Sequence, residues 1–198
     1  MRRYWLWNGL LLALLLPLSG CGINNIPTLD EQVKGAWGQV ENQYQRRADL
    51  VPNLVETVKG YAAQEQETLI AVTEARAKVG SMQVDASVIN DPQKLQQFEQ
   101  AQGQLSSALS RLMVVVEKYP DLKSNQNFLA LQSQLEGTEN RIAVARRDYI
   151  AAVQTYNTEI RTLPGSIWHK LMYSDLPVRE SFKATTENAQ QAPQVKFN

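Results

Sequence analysis

The 198-residue sequence holds a single cysteine and a single histidine. One cysteine cannot close an internal disulfide, so the fold must rest on its packed core. The same scarcity excludes a His/Cys metal cluster. Charge of one sign is missing too, because 20 basic residues meet 20 acidic ones. Nucleic-acid binding needs a basic patch that neutralises phosphates, so no nucleic-acid partner is expected. There is no HExxH, SxxK or GxSxG pattern and no phosphate-binding glycine loop, which removes the common motifs of metal-assisted, covalent and phosphoryl chemistry. No cofactor is called for. A long apolar run is also lacking: the N-terminal stretch Trp5 to Leu16 is interrupted by Asn8 and Gly9, and its roughly dozen residues fall short of the about 20 that span a bilayer.

What is present at the N-terminus reads as a secretory leader over residues 1–20. Met1-Arg2-Arg3 is a positive start, the apolar run follows, and Pro17 ends it. Leu18-Ser19-Gly20-Cys21 then resembles the bacterial lipobox. Small residues fit a peptidase, and the Cys21 thiol would carry diacylglycerol. Cys21 would then become the new N-terminus and be acylated again, for example with palmitate. Several chains on one residue hold a membrane far better than one. The alternative is an uncleaved signal anchor with an incidental cysteine. Gly22 follows, where aspartate would favour retention in the inner membrane of a Gram-negative cell. Its absence leans toward the outer membrane, facing the periplasm. Without Arg2 and Arg3 the mature chain is slightly acidic, which argues against tight binding to anionic headgroups.

The body predicts an all-α fold: an elongated antiparallel bundle of about four long helices. Residues 21–27 form a lipidated start and short linker, and 28–163 form the bundle. Thr28 and Glu31 suit a capping box. Apolar residues at steps of three and four run from Leu29 through Val33, Val40, Tyr44, Ala48 and Val51, and resume after Pro52 at Leu54 and Val58. Glu65 falls on the continued stripe, and Gly80-Ser81 is a stop. Proline inside a helix costs about 3 kcal/mol, so a kink or a break is expected near Pro52. Asp91-Pro92 caps a second long helix whose seam runs Leu95, Phe98, Gln102, Leu105, Leu109, Leu112, Val116 and Tyr119. Pro120 ends it. A last long helix carries Phe128 to Leu163 on one face, stopped by Pro164-Gly165. Residues 164–198 are irregular, yet Ile167, Trp168, Leu171, Tyr173, Phe182 and Phe197 make them too apolar for a linker. They are expected to lie along the bundle in extended or short helical pieces, with 185–192 mobile.

Gln45-Arg-Arg-Ala-Asp-Leu-Val-Pro-Asn-Leu-Val-Glu-Thr-Val-Lys-Gly-Tyr61 and Thr68-Leu-Ile-Ala-Val-Thr-Glu-Ala-Arg-Ala77 resemble the signature of LemA family proteins. Tyr156-Asn157, Leu163-Pro164-Gly165 and the Ala192-to-Phe197 ending are similar to that family's C-terminal part. The resemblance implies a long helical bundle behind an N-terminal membrane segment, and implies little about mechanism. Here a lipobox stands where the family has a transmembrane helix, which makes the chain a lipoprotein-type variant.

Candidate functional residues are few. His169 stands alone of its kind and reads as a surface histidine. Glu65, placed on the apolar stripe, is a candidate buried carboxylate, either functional or paired with Arg141 or Arg146. Arg46, Arg47 and Asp49 beside Pro52 form a candidate interaction patch, since guanidinium groups offer planar donors to carboxylates or phosphates. The alternative is that they brace the bend. The leading expectation is a non-enzymatic scaffold or adaptor, anchored in the cell envelope through lipid on Cys21 and serving an envelope protein partner. The rival is an enzyme or accessory acting on cell-wall or lipid substrates through carboxylates such as Glu65, which would need a second carboxyl within about 5 to 10 Å. A further expectation is a homo-oligomer formed through Leu95, Phe98, Leu105, Leu109 and Leu112.

Overall fold

The computed structural model describes residues 22–82 and 84–182. The leader, Cys21, the polar stretch 185–192 and Phe197 lie outside the described residues. Among the described residues the fold is helical throughout. Its elements are α1 (Asn25–Lys59), α2 (Gln66–Gly80), a 3-10 turn (Val88–Asn90), α3 (Pro92–Val116), α4 (Pro120–Lys123), α5 (Gln126–Glu159) and α6 (Gly165–Met172).

The helices alternate in direction. Along α1 and α5, Asn25 meets Glu159, Tyr44 meets Arg146 and Arg47 meets Glu139. Glu65 at the start of α2 meets Tyr119, and Lys78 near its end meets Gln104. Tyr44 meets Phe98 and Arg47 meets Ser106, so α1 and α3 run the same way. The order is up-down-up-down, as short connections require.

One boundary differs from the sequence reading, and of the two readings at Pro52 the break is excluded. The first helix begins at Asn25, inside the expected linker, and Thr28 is not its cap. The Thr28 hydroxyl donates back to the Asn24 carbonyl at 2.7 Å, as threonines inside helices do. Nor does the helix break at Pro52: α1 continues through it for 35 residues in all. The Pro52 ring is exposed, while Val51, Leu54 and Val58 are buried around it. Each such burial is worth about 1.5–3 kcal/mol, so three of them outweigh the about 3 kcal/mol cost of proline. The chain turns instead at Gly60, where the Tyr61 and Ala62 amides both donate to the Val58 carbonyl.

The start of α3 falls where the sequence places it. The Asp91 carboxylate accepts from the amides of Gln93 and Lys94 at 2.8 and 3.3 Å, and Pro92 opens α3. Asn125 caps α5 by accepting from the Phe128 amide.

The 15 residues of α2 span about 22 Å, whereas the 35 of α1 span about 52 Å. A fourth helix therefore covers only one half of the bundle. That half encloses one apolar cluster, with Ala48, Leu54, Val72, Leu105, Leu112 and Phe128 at its centre. In the other half the missing wall is built from the 3-10 turn and the returning C-terminal segment. Val88, Ile89 and Phe182 join Trp37, Phe98 and Tyr149 in a second cluster. Trp37 packs edge-on against Phe98 and Tyr149 at centroid distances of 5.3 and 5.4 Å, an arrangement aromatic rings prefer. Helix α6 can fold back only because residue 165 is glycine: a Cβ there would lie 2.2 Å from the Glu159 carbonyl oxygen.

Candidate functional site

Between the two apolar clusters lies a layer of polar side chains. Arg47 is its centre, with a relative exposure of 1%. Its Nη1 donates to the Ser106 hydroxyl at 2.8 Å and to Glu139 at 2.9 Å, and its Nη2 donates to the carbonyl and the side-chain oxygen of Gln102. Its Nε has no protein partner. The guanidinium also lies 5.0 Å from the Tyr44 ring centre. A buried guanidinium is tolerated when its donors are satisfied by acceptors held in a fixed fork. Here α1 supplies the guanidinium, and α3 and α5 supply the acceptors.

Two turns further along α5, Arg146 extends the layer. It donates to the Tyr44 hydroxyl at 3.0 Å and pairs with Glu99 at 3.3 Å. It also stacks over Phe182, 3.9 Å from the ring centre, which couples the layer to the C-terminal segment. Helices α3 and α5 stand apart here and leave a groove of about 530 Å³. Arg47, Gln102 and Ser106 line it with Glu99, Glu139 and Arg146, and Ile142 and Ile150 add apolar surface. The groove is the best candidate site. It can receive a segment carrying both apolar and hydrogen-bonding groups. Its charges face one another, so it offers shape and polar contacts rather than one strong field.

The sequence-derived candidates separate. Arg47 turns inward, whereas Arg46 and Asp49 are exposed on the other side of α1, with Asp49 accepting from Gln45 at 2.8 Å. The three do not form one patch. Glu65 is half-buried rather than buried, because the chain turns at residues 60–65 and the stripe does not run on through it. Its carboxylate accepts from the Tyr119 hydroxyl at 2.9 Å, not from Arg141 or Arg146. That hydrogen bond holds the Tyr119 pKa above its ordinary value. The seam residues Leu95, Phe98, Leu105, Leu109 and Leu112 are buried against the chain's own helices. The His169 ring nitrogen lies 2.8 Å from the Leu176 carbonyl, half-buried at the turn after α6. Among the described residues no group of three or more His, Cys, Asp or Glu side chains could hold a metal ion, and no helix is long and apolar enough to cross a membrane.

Sequence reasoning missed a second buried polar cluster. Arg179, in the extended C-terminal segment, donates from Nε and Nη2 to Asp30 near the start of α1, and from Nη1 to Asn90. Asn157 accepts from the Arg179 amide and donates to its carbonyl, at 3.0 and 2.9 Å. The Tyr149 hydroxyl donates to the Glu180 carbonyl and that of Tyr156 to the Pro177 carbonyl. Burial raises the pKa of both tyrosines. Asp30 was legible as a polar residue one step from the stripe, but its partner lies 149 residues away.

Comparison with known proteins gives concordant results. The LemA family pattern matches residues 36–197. Magnetosome protein MamQ 2 of Paramagnetospirillum magneticum is 30% identical over 166 residues, covering 76% of this chain and 60% of that protein. Protein LemA of Metamycoplasma hominis is 24% identical over 139 residues, covering 70% of this chain and 59% of that one. Magnetosome protein MamQ of Magnetospirillum gryphiswaldense is 27% identical over 157 residues, covering 71% and 58%. The chain thus spans about three fifths of the length of these relatives. With the helical architecture and the Gln45-to-Tyr61 stretch, which holds the inward Arg47, the match is decisive: the chain belongs to the LemA family.

Proposed function

We propose that this chain is a membrane-tethered helical scaffold of the bacterial cell envelope, without chemistry of its own, which receives a protein partner in the groove between α3 and α5. The observation that carries the reading is the state of the groove's charged groups. Arg47, Glu139, Arg146 and Glu99 are engaged with one another across helices. They fix the spacing of the walls and do not converge on a single reacting point, as a catalytic constellation does. Beside them Ile142 and Ile150 supply the apolar surface that a partner segment would cover. The tether is lipid on Cys21, which becomes the N-terminus once residues 1–20 are removed at Leu18-Ser19-Gly20-Cys21, and the lack of aspartate at position 22 favours the outer membrane.

The groove is tested by substituting Ile150→Asp, an exposed position on its wall. Envelope complexes of the full chain are resolved by native electrophoresis after mild detergent extraction. A complex larger than the chain, lost in Ile150→Asp while helicity and melting temperature stay unchanged, supports the reading. A complex that survives the substitution, or none in the parent, sinks it. The tether is tested with radioactive fatty acid on the parent and on Cys21→Ser. Label confined to the parent, with a shortened chain, supports lipidation. An intact, unlabelled leader in both would make it a signal anchor.

A further inference from the structure

Eleven large apolar side chains are exposed among the described residues, and four of them fall within ten positions: Leu163, Ile167, Leu171 and Met172. The remaining seven are spread over three helices, the turn after α1 and the C-terminal segment, where scattered exposed apolar residues are ordinary. Leu163 and Leu171 are 77% and 72% exposed, so this is an unpartnered apolar surface rather than the edge of a core. Ile167 and Leu171 stand four positions apart on α6, one turn of the helix. Trp168, between them in sequence, packs inward against the second apolar cluster. The helix is therefore amphipathic, and the bundle fixes which side it shows.

The position of this surface identifies its occupant. A Cβ added at Gly22, the first described residue, would lie 3.8 Å from the Pro164 ring. Asn25, the first residue of α1, donates to Glu159 at the end of α5. The chain thus leaves its leader beside α6, and one peptide bond separates Gly22 from Cys21. Any tether at or before Cys21 brings this end of the bundle to the bilayer. Exposed Arg161 and Lys170 flank the apolar side chains. Basic residues beside an apolar face suit the headgroup boundary, where the apolar groups enter the acyl region and the cations meet anionic headgroups.

We propose that Leu163, Ile167, Leu171 and Met172 insert into the lipid surface and form a second membrane contact beside the tether. The proposal rests on the membrane attachment argued above, but holds for lipidated and signal-anchored forms alike. Two attachment points define an orientation, so the bundle stands at a set angle and carries the α3–α5 groove away from the membrane. A single flexible tether would leave that angle free.

The test uses the full chain reconstituted into vesicles of phosphatidylethanolamine and phosphatidylglycerol. Benzoylphenylalanine is placed at position 171 or, as the control, at position 129. Leu129 is an exposed apolar residue near the opposite end of the bundle. The vesicles are floated, irradiated and assayed for lipid adducts. The expected result is lipid labelling several-fold stronger from 171 than from 129. Protein that floats but labels lipid no better from 171 overturns the contact while leaving the tether standing. So does an adduct from 171 to a second protein chain, which would make the surface a protein interface. Protein that does not float overturns the tether and the contact together.

Discussion

At the scale of single residues, Arg47 and Glu139 behave unequally. The Arg47 side chain is 2% exposed and that of Glu139 is 44% exposed. Removing a half-exposed glutamate ordinarily costs little. Here it takes one acceptor from a buried guanidinium, whose remaining protein acceptors are the neutral groups of Ser106 and Gln102. Glu139→Ala should destabilise by about 2 kcal/mol, since an uncompensated buried charge is costly. Arg47→Met removes the charge and keeps apolar volume, so adding Glu139→Ala to it should cost under about 0.5 kcal/mol, the surface norm. Urea denaturation of the four proteins gives the cycle, and equal costs of Glu139→Ala in both backgrounds would refute the coupling. The tyrosines make a different case. Burial raises the Tyr149 pKa above 10.0, the value of a free tyrosine. A raised pKa means that the folded state holds its proton longer, so stability is intact below about pH 10 and falls above it. Tyr156, raised by burial, and Tyr119 and Lys34, raised by hydrogen bonds to Glu65 and Glu31, act in the same direction. Tyr149→Phe should cost about 1 kcal/mol at pH 8 through the lost hydrogen bond to Glu180. It should also flatten the alkaline decline, so urea midpoints of the two proteins converge as pH rises. Parallel curves would show that Tyr149 does not contribute to the alkaline loss.

At the scale of elements, the stripes were legible and the breaks were not. Val33, Val40, Tyr44, Leu54 and Val58 are buried as their spacing demands. So is Gln102, a polar residue on the seam, although nothing near it in sequence named Arg47 as its partner 55 positions away. Propensity allowed either a kink or a break at Pro52 and kept Glu65 on the same stripe. Packing excludes the break, because the cost of one proline is local while the stripe around it is buried on both sides, and the turn at residues 60–65 takes Glu65 off the stripe. Local chemistry does mark the true turn: Gly60-Tyr61 follows the last buried valine of α1, and residues 60–65 carry one buried residue, Ala62. The cap at Asp91 was readable because its acceptor and donors are neighbours. Arg179 was not, because its three helix-borne partners come from distant parts of the chain. If Pro52 is carried by its neighbours, Pro52→Ala should stabilise. The alanine regains a backbone donor and relieves the clash with the preceding turn, while losing part of the unfolded-state restriction that proline imposes, about 0.4–1 kcal/mol. The net gain should be at least about 1 kcal/mol in urea denaturation. A loss would mean that the shape proline imposes on α1 is itself required for packing against α5.

At the scale of the whole molecule, the bundle is two apolar cores joined by a polar layer. The half distal to Gly22 is closed by four helices. The half next to Gly22 is closed by three helices and a returning strap, residues 173–182, pinned by Arg179 to Asp30, Asn90 and Asn157. Phe182 ends the strap inside the aromatic cluster, 5.4 Å from the Tyr149 ring and 6.0 Å from that of Trp37. The strap thus supplies one wall of one core and none of the other. Local stability should follow that division, since cooperative units track buried contacts. Ending the chain after Met172 should strip amide-exchange protection from residues 25–44 and 145–160, while residues 101–116 in the distal half keep theirs. Arg179→Ala should act in the same place by a smaller amount, because it leaves Asp30 buried with Lys34 still 3.0 Å away and keeps Phe182 in the core. Hydrogen exchange read by mass spectrometry separates the outcomes. If protection falls equally in both halves, the polar layer transmits stability from one core to the other. If it falls only beside the strap, the layer divides them, and the strap can be loosened without unfolding the groove wall at Gln102 and Ser106. The polar layer favours the second result. Its contacts are hydrogen bonds and ion pairs that stabilise modestly, and the two apolar clusters meet across it through few buried apolar side chains.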